Sequence, residues 1–254
     1  YEALLAQASV DFDFPELHED TQAVTFYTTG TTGDPKGVCY SHRHIVMHAM
    51  ATGMSLCSPM GEQRLHRGDV YMPITPMFHV LGWGIPYIAV MLGLRTVLPG
   101  RYLPEVLLKL RETEKVTFSH CVPTILQMLL TGAQKTGQDL SGWKVIIGGS
   151  ALSTALCEAA LDQGIDVFAG YGMSETGPVV SLALTPPGVV VQDRAEAVRM
   201  RSSTGRPATF VDFRVVDEHM RDVPRDGVTR GEIVLRSPFL TLNYFKKPEA
   251  SEEL

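Results

Sequence analysis

The chain has 254 residues, a formal net charge of −6 at pH 7, 44% hydrophobic residues and 20% charged residues. This composition excludes an intrinsically disordered chain, which combines low hydrophobicity with high net charge, and it argues against a dedicated nucleic-acid-binding protein, which carries a basic excess. A chain of this length buries a core without metal or disulfide support.

Short runs of β-branched and aromatic residues alternate with helical patterns through the first two-thirds of the chain. The predicted buried strands are residues 24–27, 69–72, 95–98, 116–120, 145–147 and 166–169. Apolar residues at helical spacing predict one helix from about Ser41, one from Pro104 and one capped by Ser153. Strands that alternate with helices indicate an α/β fold with a layered, mostly parallel sheet and flanking helices.

The longest apolar stretch is residues 80–94, VLGWGIPYIAVMLGL. It is shorter than the ~20 residues that a membrane-spanning helix needs, and Gly82, Gly84 and Pro86 weaken it further. We therefore predict a buried helix or a pocket wall here, and no transmembrane segment.

The pattern changes after about Leu184. Helical spacing disappears, and alternating apolar and polar residues predict strands at 211–217 and 232–237. We predict an α/β subdomain over residues 1–188 and a small β-rich, barrel-like subdomain over residues 189–254.

The cysteine and histidine spacings indicate no metal site. The cysteines, which form no CxxC pair, are Cys39, Cys57, Cys121 and Cys157. This usage predicts reduced, buried thiols in a cytosolic protein. His44 and His48 lie one helical turn apart, but no cysteine or carboxylate nearby completes a site of about four ligands.

The segment with the most chemical information is residues 27–37, YTTGTTGDPKG, which follows a predicted strand. Glycines let the backbone approach an anion, threonine hydroxyls donate hydrogen bonds to phosphate oxygens, and Lys36 supplies positive charge. The pattern predicts a polyphosphate-binding loop. It is not a Walker A loop, which has the sequence GxxxxGK[ST].

This loop resembles the signature phosphate loop of the adenylate-forming (AMP-binding) superfamily, which includes acyl-CoA synthetases, firefly luciferases and the adenylation domains of peptide synthetases. Residues 171–176, YGMSET, are similar to the family's second signature, and residues 148–151, GGSA, to the segment that packs on the adenine ring. The later landmarks are TGRP at 204–207, GEI at 231–233, Asn243-Tyr244 and Pro248-Glu249. The resemblance covers residues 23–250 and corresponds to part of the large N-terminal domain only.

The resemblance implies a site for ATP and Mg²⁺. Lys36, Ser174 and Glu175 are implied as catalytic residues, and Glu175 with Thr28 is implied to hold Mg²⁺, a cation that prefers oxygen ligands. The implied ATP-binding residues are Thr28, Thr29, Gly30, Thr31, Thr32, Gly33, Lys36, Gly149, Ser150, Ala151, Gly170, Tyr171, Gly172 and Ser174. A substrate carboxylate attacks the α-phosphorus, and the resulting acyl-adenylate then reacts with coenzyme A.

The acid site is implied by residues 76–83, PMFHVLGW, which resemble the border of the family's acyl pocket. His79, Trp83 and Gly172 are the implied substrate-binding residues. A tryptophan four positions after the histidine is most like the long- and medium-chain fatty-acid–CoA ligases, in which an indole gates the acyl tunnel. We therefore expect a fatty-acid substrate.

Three alternatives stay open. An aryl-CoA ligase and an amino-acid adenylation domain belong to the same superfamily, although the latter carries an aspartate for the amino group and residues 78–98 contain none. A catalytically silent nucleotide-binding sensor or scaffold is an alternative of another class, and the presence of Lys36 and Glu175 counts against it.

The resemblance also sets expectations about partners and completeness. We expect a cytoplasmic enzyme whose partners are ATP, coenzyme A and a small acid, with no nucleic acid, and we leave peripheral membrane contact and a homodimer open. Family members are longer and place a catalytic lysine in a C-terminal domain that has no counterpart in this chain. We therefore expect a polypeptide limited to these residues to make no acyl-CoA.

Overall fold

The computed structural model describes residues 2–28, 34–59 and 63–252. Its strands are β1 (Gln22–Tyr27), β2 (Gly37–Ser41), β3 (Val70–Pro73), β4 (Arg95–Thr96), β5 (Phe118–Cys121), β6 (Lys144–Ile147), β7 (Asp166–Gly172), β8 (Val179–Leu182), β9 (Arg206–Pro207), β10 (Asp212–Val216) and β11 (Glu232–Arg236). Its helices are α1 (Glu2–Gln7), α2 (His42–Cys57), α3 (Val80–Trp83), α4 (Ile85–Leu92), α5 (Pro104–Thr113), α6 (Pro123–Thr136), α7 (Thr154–Asp162), α8 (Arg194–Ser202) and α9 (Pro248–Ser251).

A seven-stranded sheet forms the centre of the molecule, in the order β4-β3-β5-β6-β7-β8-β9. The first five strands in this order, from β4 to β7, run parallel. β8 pairs antiparallel with β7, and β9 pairs antiparallel with β8. Helices follow the parallel strands as crossover connections, which is why apolar residues are buried on both faces of β5 and β6. The predicted α/β fold with a mostly parallel, helix-flanked sheet is confirmed.

Two small antiparallel sheets accompany the large one, β1 with β2 and β10 with β11. The first corrects a prediction, because residues 24–27 belong to a hairpin outside the parallel sheet and, of β1, only Phe26 is buried. The predicted strand at 95–98 is also shorter than expected: β4 has two residues, both exposed, because it lies at the edge of the sheet.

A helix, α8, lies in the stretch where the sequence shows no helical spacing. Asp193 caps it by accepting a hydrogen bond from the Glu196 backbone, and Val198 is its one buried residue. Its polar composition explains why an apolar pattern did not reveal it. After α8 the chain adds β9 to the large sheet, and the subdomain boundary near residue 189 stays a prediction.

The predicted helix starts agree with the structure. Ser41 is the N-cap of α2, in a capping box with His44, and Ser153 caps α7 by accepting from the Leu156 backbone. The four cysteines are free, and Cys57 alone among them is half-buried. Within the described ranges, no helix is long and apolar enough to cross a membrane.

Residues 80–84 form what we call the left-handed turn. Every residue in it has a positive φ, from 48° at Val80 to 74° at Gly84. Side chains with a Cβ pay roughly 1–2 kcal/mol each for this conformation, so the turn persists only because its surroundings hold it. Trp83, at its end, is buried.

A buried ion pair links the amino ends of two parallel strands. Asp69, just before β3, lies 2.6 Å from the Lys144 ammonium of β6, and the two side chains are 2% and 7% exposed. The carboxylate also accepts hydrogen bonds from the Thr117 hydroxyl at 2.7 Å and the His66 backbone at 2.8 Å. Both charges are therefore compensated within the core.

Candidate active site

The predicted site residues gather at the carboxyl ends of β6 and β7, the edge at which open α/β sheets bind ligands. A cavity of about 200 Å³ opens there. Of the predicted residues, it is lined by His79, Trp83, Gly149, Gly170, Tyr171, Gly172 and Ser174. Three segments distant in sequence thus meet at one cavity, and they place the predicted acid-binding and nucleotide-binding residues together.

A second cavity, of about 340 Å³, shares the residues of β7 and adds Ser150 and Ala151. Gly149, Gly170, Tyr171 and Gly172 line both cavities. Residues 202–204 complete the wall of the second cavity, and sequence analysis assigned them no role. A larger cavity of about 1020 Å³ lies between α5 and α6 and contains none of the predicted residues.

Two glycines of the site have no room for a side chain. A Cβ on Gly172 would lie 1.7 Å from the carbonyl oxygen of Pro178, and one on Gly148 would lie 3.0 Å from the Trp83 ring. The first contact is with backbone, which cannot move aside as a flexible side chain can. Glycine at these positions lets the chain on either side of the cavity approach closely.

The loop between β7 and β8, residues 173–178, contains Ser174 and Glu175, and we call it the signature loop. Its backbone is fixed by two long-range hydrogen bonds, since the Tyr40 hydroxyl donates to the Ser174 carbonyl at 2.8 Å and the Thr241 amide donates to the Glu175 carbonyl at 3.0 Å. Burial, together with the nearby Glu175 carboxylate, raises the pKa of Tyr40 well above its usual value. The phenol therefore stays a donor.

Tyr244 joins two of the predicted catalytic residues. Its hydroxyl donates to Glu175 Oε1 at 2.8 Å, and Lys36 Nζ lies 4.7 Å from the centre of its ring. Lys36 is held in turn by the base of the phosphate loop: the Thr28 amide donates to the Lys36 carbonyl at 2.9 Å, and the Lys36 amide donates to the Thr28 hydroxyl at 3.3 Å. Thr28, Lys36 and Glu175 thus belong to one connected group.

The middle of the predicted phosphate loop lies outside the described residues. These residues are Thr29, Gly30, Thr31, Thr32 and Gly33, and their assignment to ATP phosphates stays a prediction. The roles of Lys36, Ser174, Glu175, His79 and Trp83 also stay predictions, although the structure brings them to one edge of the sheet.

The donor set at Glu175 fits a phosphate-site magnesium. The carboxylate is half-buried, and the described residues hold no cluster of three or more His, Cys, Asp or Glu that could form an all-protein cage. Magnesium that is bound with nucleotide phosphates uses one or two carboxylates and takes its other ligands from phosphate and water. One carboxylate beside a phosphate loop is consistent with that arrangement.

Sequence analysis missed the roles of two tyrosines. Tyr244 was recognised as a landmark without a function, and Tyr40 was not singled out. Tyr244 lies 69 residues from Glu175 in the chain and Tyr40 lies 134 residues from Ser174. No local pattern reveals contacts over such separations.

Comparison with known proteins finds a matching family model and similar curated proteins. A family model described as AMP-binding enzyme matches residues 2–245. A long-chain-fatty-acid–CoA ligase of Thermus thermophilus is 39% identical over 227 residues, which are 89% of this chain and 41% of that protein. A 3-methylmercaptopropionyl-CoA ligase of Ruegeria lacuscaerulensis is 36% identical over 249 residues, 97% of this chain and 45% of that protein.

Solved structures show the same fold. The N-terminal domain of FACL13 from Mycobacterium tuberculosis superimposes with a TM-score of 0.81 at 25% identity, covering 99% of this chain and 59% of that one. The chain spans less than half the length of the two curated relatives above.

Proposed function

Because the chain belongs to the AMP-binding enzyme family, whose model matches residues 2–245, we propose that it forms the nucleotide- and acid-binding part of an ATP-dependent acyl-CoA ligase. The observation that carries this proposal is the cavity of about 200 Å³ that is lined by His79 and Trp83 together with Tyr171 and Ser174. An acid and a nucleotide phosphate bound there lie side by side. We infer a cytoplasmic location, where both co-substrates, ATP and coenzyme A, are present.

The first step joins the acid to AMP. A carboxylate oxygen of the acid attacks the α-phosphorus, the bond from that phosphorus to the bridging oxygen breaks, and pyrophosphate leaves with the electron pair. Ser174 donates its hydroxyl to the α-phosphate, and Lys36 places its charge on the leaving phosphates. Such a displacement is accelerated mainly by positioning and by charge stabilisation.

Glu175 and Thr28 would hold the magnesium ion. The ion, when bound, neutralises phosphate charge and fixes the triphosphate in line for displacement. The protein's part is to aim the Glu175 carboxylate, which the Tyr244 hydroxyl does through its 2.8 Å hydrogen bond. In the second step the thiol of coenzyme A attacks the acyl carbon, and AMP leaves.

The acid itself is a fatty acid in this proposal. The wall that contains Trp83 and Val80 is apolar and buried, as is usual for the lining of small-molecule sites. No aspartate lies in residues 78–98 to hold an amino group. The long-chain-fatty-acid–CoA ligase of Thermus thermophilus, at 39% identity, supports the same substrate class.

An exchange assay tests the function. The complete ligase is incubated with ATP, Mg²⁺ and labelled pyrophosphate, together with a panel of aliphatic, aryl and amino acids, and label entering ATP is measured. We expect exchange that depends on aliphatic acids. Exchange that occurs only with aryl acids or only with amino acids would identify an aryl-CoA ligase or an amino-acid adenylation domain instead. The absence of exchange with every acid would favour a catalytically silent nucleotide-binding protein.

A polypeptide limited to residues 1–254 should make no acyl-CoA. The chain spans 41% of one relative and 45% of another, and the family resemblance places a catalytic lysine beyond the matching part. Acid-dependent formation of AMP is measured with the 254-residue chain and with the complete ligase side by side. Acid-dependent formation of AMP by the 254-residue chain alone would contradict this expectation.

Trp83→Ala should change the acid preference much more than the affinity for ATP. The substitution removes the ring that packs beside Gly148 and walls the cavity. Because each methylene in an apolar pocket is worth about 10–200-fold in specificity, the ratio of kcat/KM for long and short acids should shift at least about tenfold. The control is Phe78→Ala, a residue of the same segment that is 82% exposed. If Trp83→Ala leaves the preference among acids unchanged, Trp83 does not gate the acid site.

Tyr244→Phe should weaken magnesium binding. The variant keeps the ring beneath Lys36 but removes the hydroxyl that donates to Glu175. Loss of a partner that orients a metal ligand typically costs 10–100-fold in metal affinity, so the Mg²⁺ concentration for half-maximal exchange should rise by about tenfold. Mn²⁺ titration followed by electron paramagnetic resonance gives a second measurement that does not depend on turnover. Tyr87→Phe, an exposed tyrosine on α4, should leave both values unchanged.

A further inference from the structure

His48 is a buried imidazole to which the proposed reaction assigns no part. It lies in the middle of α2 with 2% of its surface exposed. No cysteine or carboxylate joins it in a metal cluster within the described residues. Two of its neighbours border the 200 Å³ cavity, since Val179 lines it and Gly84 directly follows Trp83, which also lines it.

On one side the His48 ring fixes the chain that follows the signature loop. His48 Nε2 lies 3.1 Å from the Val179 amide nitrogen, 3.2 Å from the Val179 carbonyl oxygen and 3.2 Å from the Thr52 hydroxyl, so in either tautomer the ring hydrogen-bonds the Val179 backbone. The ring also packs on Gly177, where a Cβ would lie 3.0 Å from Cδ2, and meets the Phe239 ring edge-on with 5.2 Å between centroids.

On the other side the ring supports the left-handed turn. A Cβ on Gly84 would lie 2.6 Å from both His48 Cε1 and Nδ1, so the glycine backbone rests against the edge of the imidazole. Gly84 is the residue directly after Trp83. The same Cβ position is 3.8 Å from the Gly177 carbonyl oxygen, which brings the left-handed turn beside the signature loop.

A turn of residues with positive φ relaxes unless its neighbours hold it. His48 is the side chain that fills the space between the end of this turn and the chain after Glu175. Burial lowers the pKa of His48 to about 4, so at neutral pH the imidazole is uncharged.

We propose that His48 is a positioning residue that sets the distance between the Trp83 wall and the signature loop, and thereby the fit of the acid against the nucleotide. This proposal rests on the proposed function of the cavity. His48 acts through Gly84, which directly follows Trp83, and through Val179, and it touches no substrate.

The test pairs two substitutions in the complete ligase. His48→Leu removes the flat ring and the nitrogen that hydrogen-bonds Val179, whereas His48→Gln keeps a side-chain amide that can accept from or donate to the Val179 backbone. In His48→Leu we expect the KM for the acid to rise by about tenfold or more, with the Kd for Mg²⁺-ATP within twofold of the wild type. His48→Gln should recover most of the acid KM.

Trp83 supplies a spectroscopic readout that needs no turnover. The chain has a second tryptophan, Trp143, which also fluoresces. The fluorescence of Trp83 alone is therefore obtained by subtracting the signal of the matching protein that carries Trp83→Phe, and its quenching by acrylamide is then measured. Trp83 is 6% exposed, and we expect its quenching constant to at least double in His48→Leu.

Leu56→Ala is the matched control for simple loss of stability. Leu56 is fully buried on the same helix and does not line the cavity. Its variant should lower the melting temperature and leave Trp83 quenching and the acid KM unchanged. The proposal is overturned if His48→Leu leaves both readouts unchanged, or if Leu56→Ala shifts them equally. Failure of the wild type to bind any acid would instead contradict the proposed function.

Discussion

Glu175→Gln should reduce magnesium-dependent ATP–pyrophosphate exchange by about 10²–10³-fold, the loss typical of removing one charge-stabilising group from an active site. Glutamine keeps the size of the side chain and an oxygen that accepts from the Tyr244 hydroxyl, so the 2.8 Å contact at this position can persist. What disappears is the negative charge that magnesium requires. The fold and the binding of the free acid should therefore stay intact while exchange is lost.

The measurement is the exchange rate at saturating acid as a function of Mg²⁺ concentration, with the circular dichroism melt as a check on folding. Glu158→Gln is the control, because it removes the same charge from an exposed position on α7. Near-normal exchange in Glu175→Gln at ordinary Mg²⁺ concentration would show that this carboxylate is not the magnesium ligand.

Asp69→Ala should destabilise the protein by about 3–5 kcal/mol, the cost of leaving one member of a buried ion pair without its partner. Lys144 would keep its charge at 7% exposure with the carboxylate at 2.6 Å removed. The Thr117 hydroxyl and the His66 amide would also lose their acceptor. Chemical denaturation of wild type and variant measures the difference in unfolding free energy.

The double variant Asp69→Leu with Lys144→Met tests whether the two side chains stabilise the protein as a pair or independently. Replacing both members of a buried ion pair by apolar residues is often neutral or stabilising, so the double variant should recover most of the lost free energy. A double variant that loses as much as the sum of the single variants would show that the two side chains stabilise independently. The control Asp162→Ala removes an exposed aspartate, which forms a surface ion pair with Arg194, and should cost no more than about 1 kcal/mol.

The central strands could be predicted because their sequences carry a strong physical signal. β5 and β6 are buried on both faces, so they read as continuous runs of buried residues between helices. β1 has similar residues but is the more exposed strand of a hairpin whose other strand, β2, is buried. A short apolar run does not tell which partner the strand will have, and that is why the burial predicted at residues 24–27 was wrong.

The site likewise contains residues that the sequence predicts and residues that only the fold reveals. Residues in the two signatures were predicted because they are close together in sequence and their residue types match phosphate chemistry. Tyr244 and His48 act through contacts with residues 69 and 131 positions away, respectively. Only the three-dimensional fold creates those contacts, and composition and spacing carry no trace of them.

The order of strands places the signature loop and the left-handed turn in different parts of the sheet. The signature loop is a short connection between β7 and β8, each of which is paired with a strand on both sides, so insertions and deletions there would disturb several neighbours. The left-handed turn lies in the connection between β3 and the edge strand β4, which pairs with β3 alone among the described strands. In the proposed function, the wall that contacts the acid can therefore change through that peripheral connection while the nucleotide-binding residues keep their places, so proteins of this fold can acquire new acids with the same adenylation chemistry.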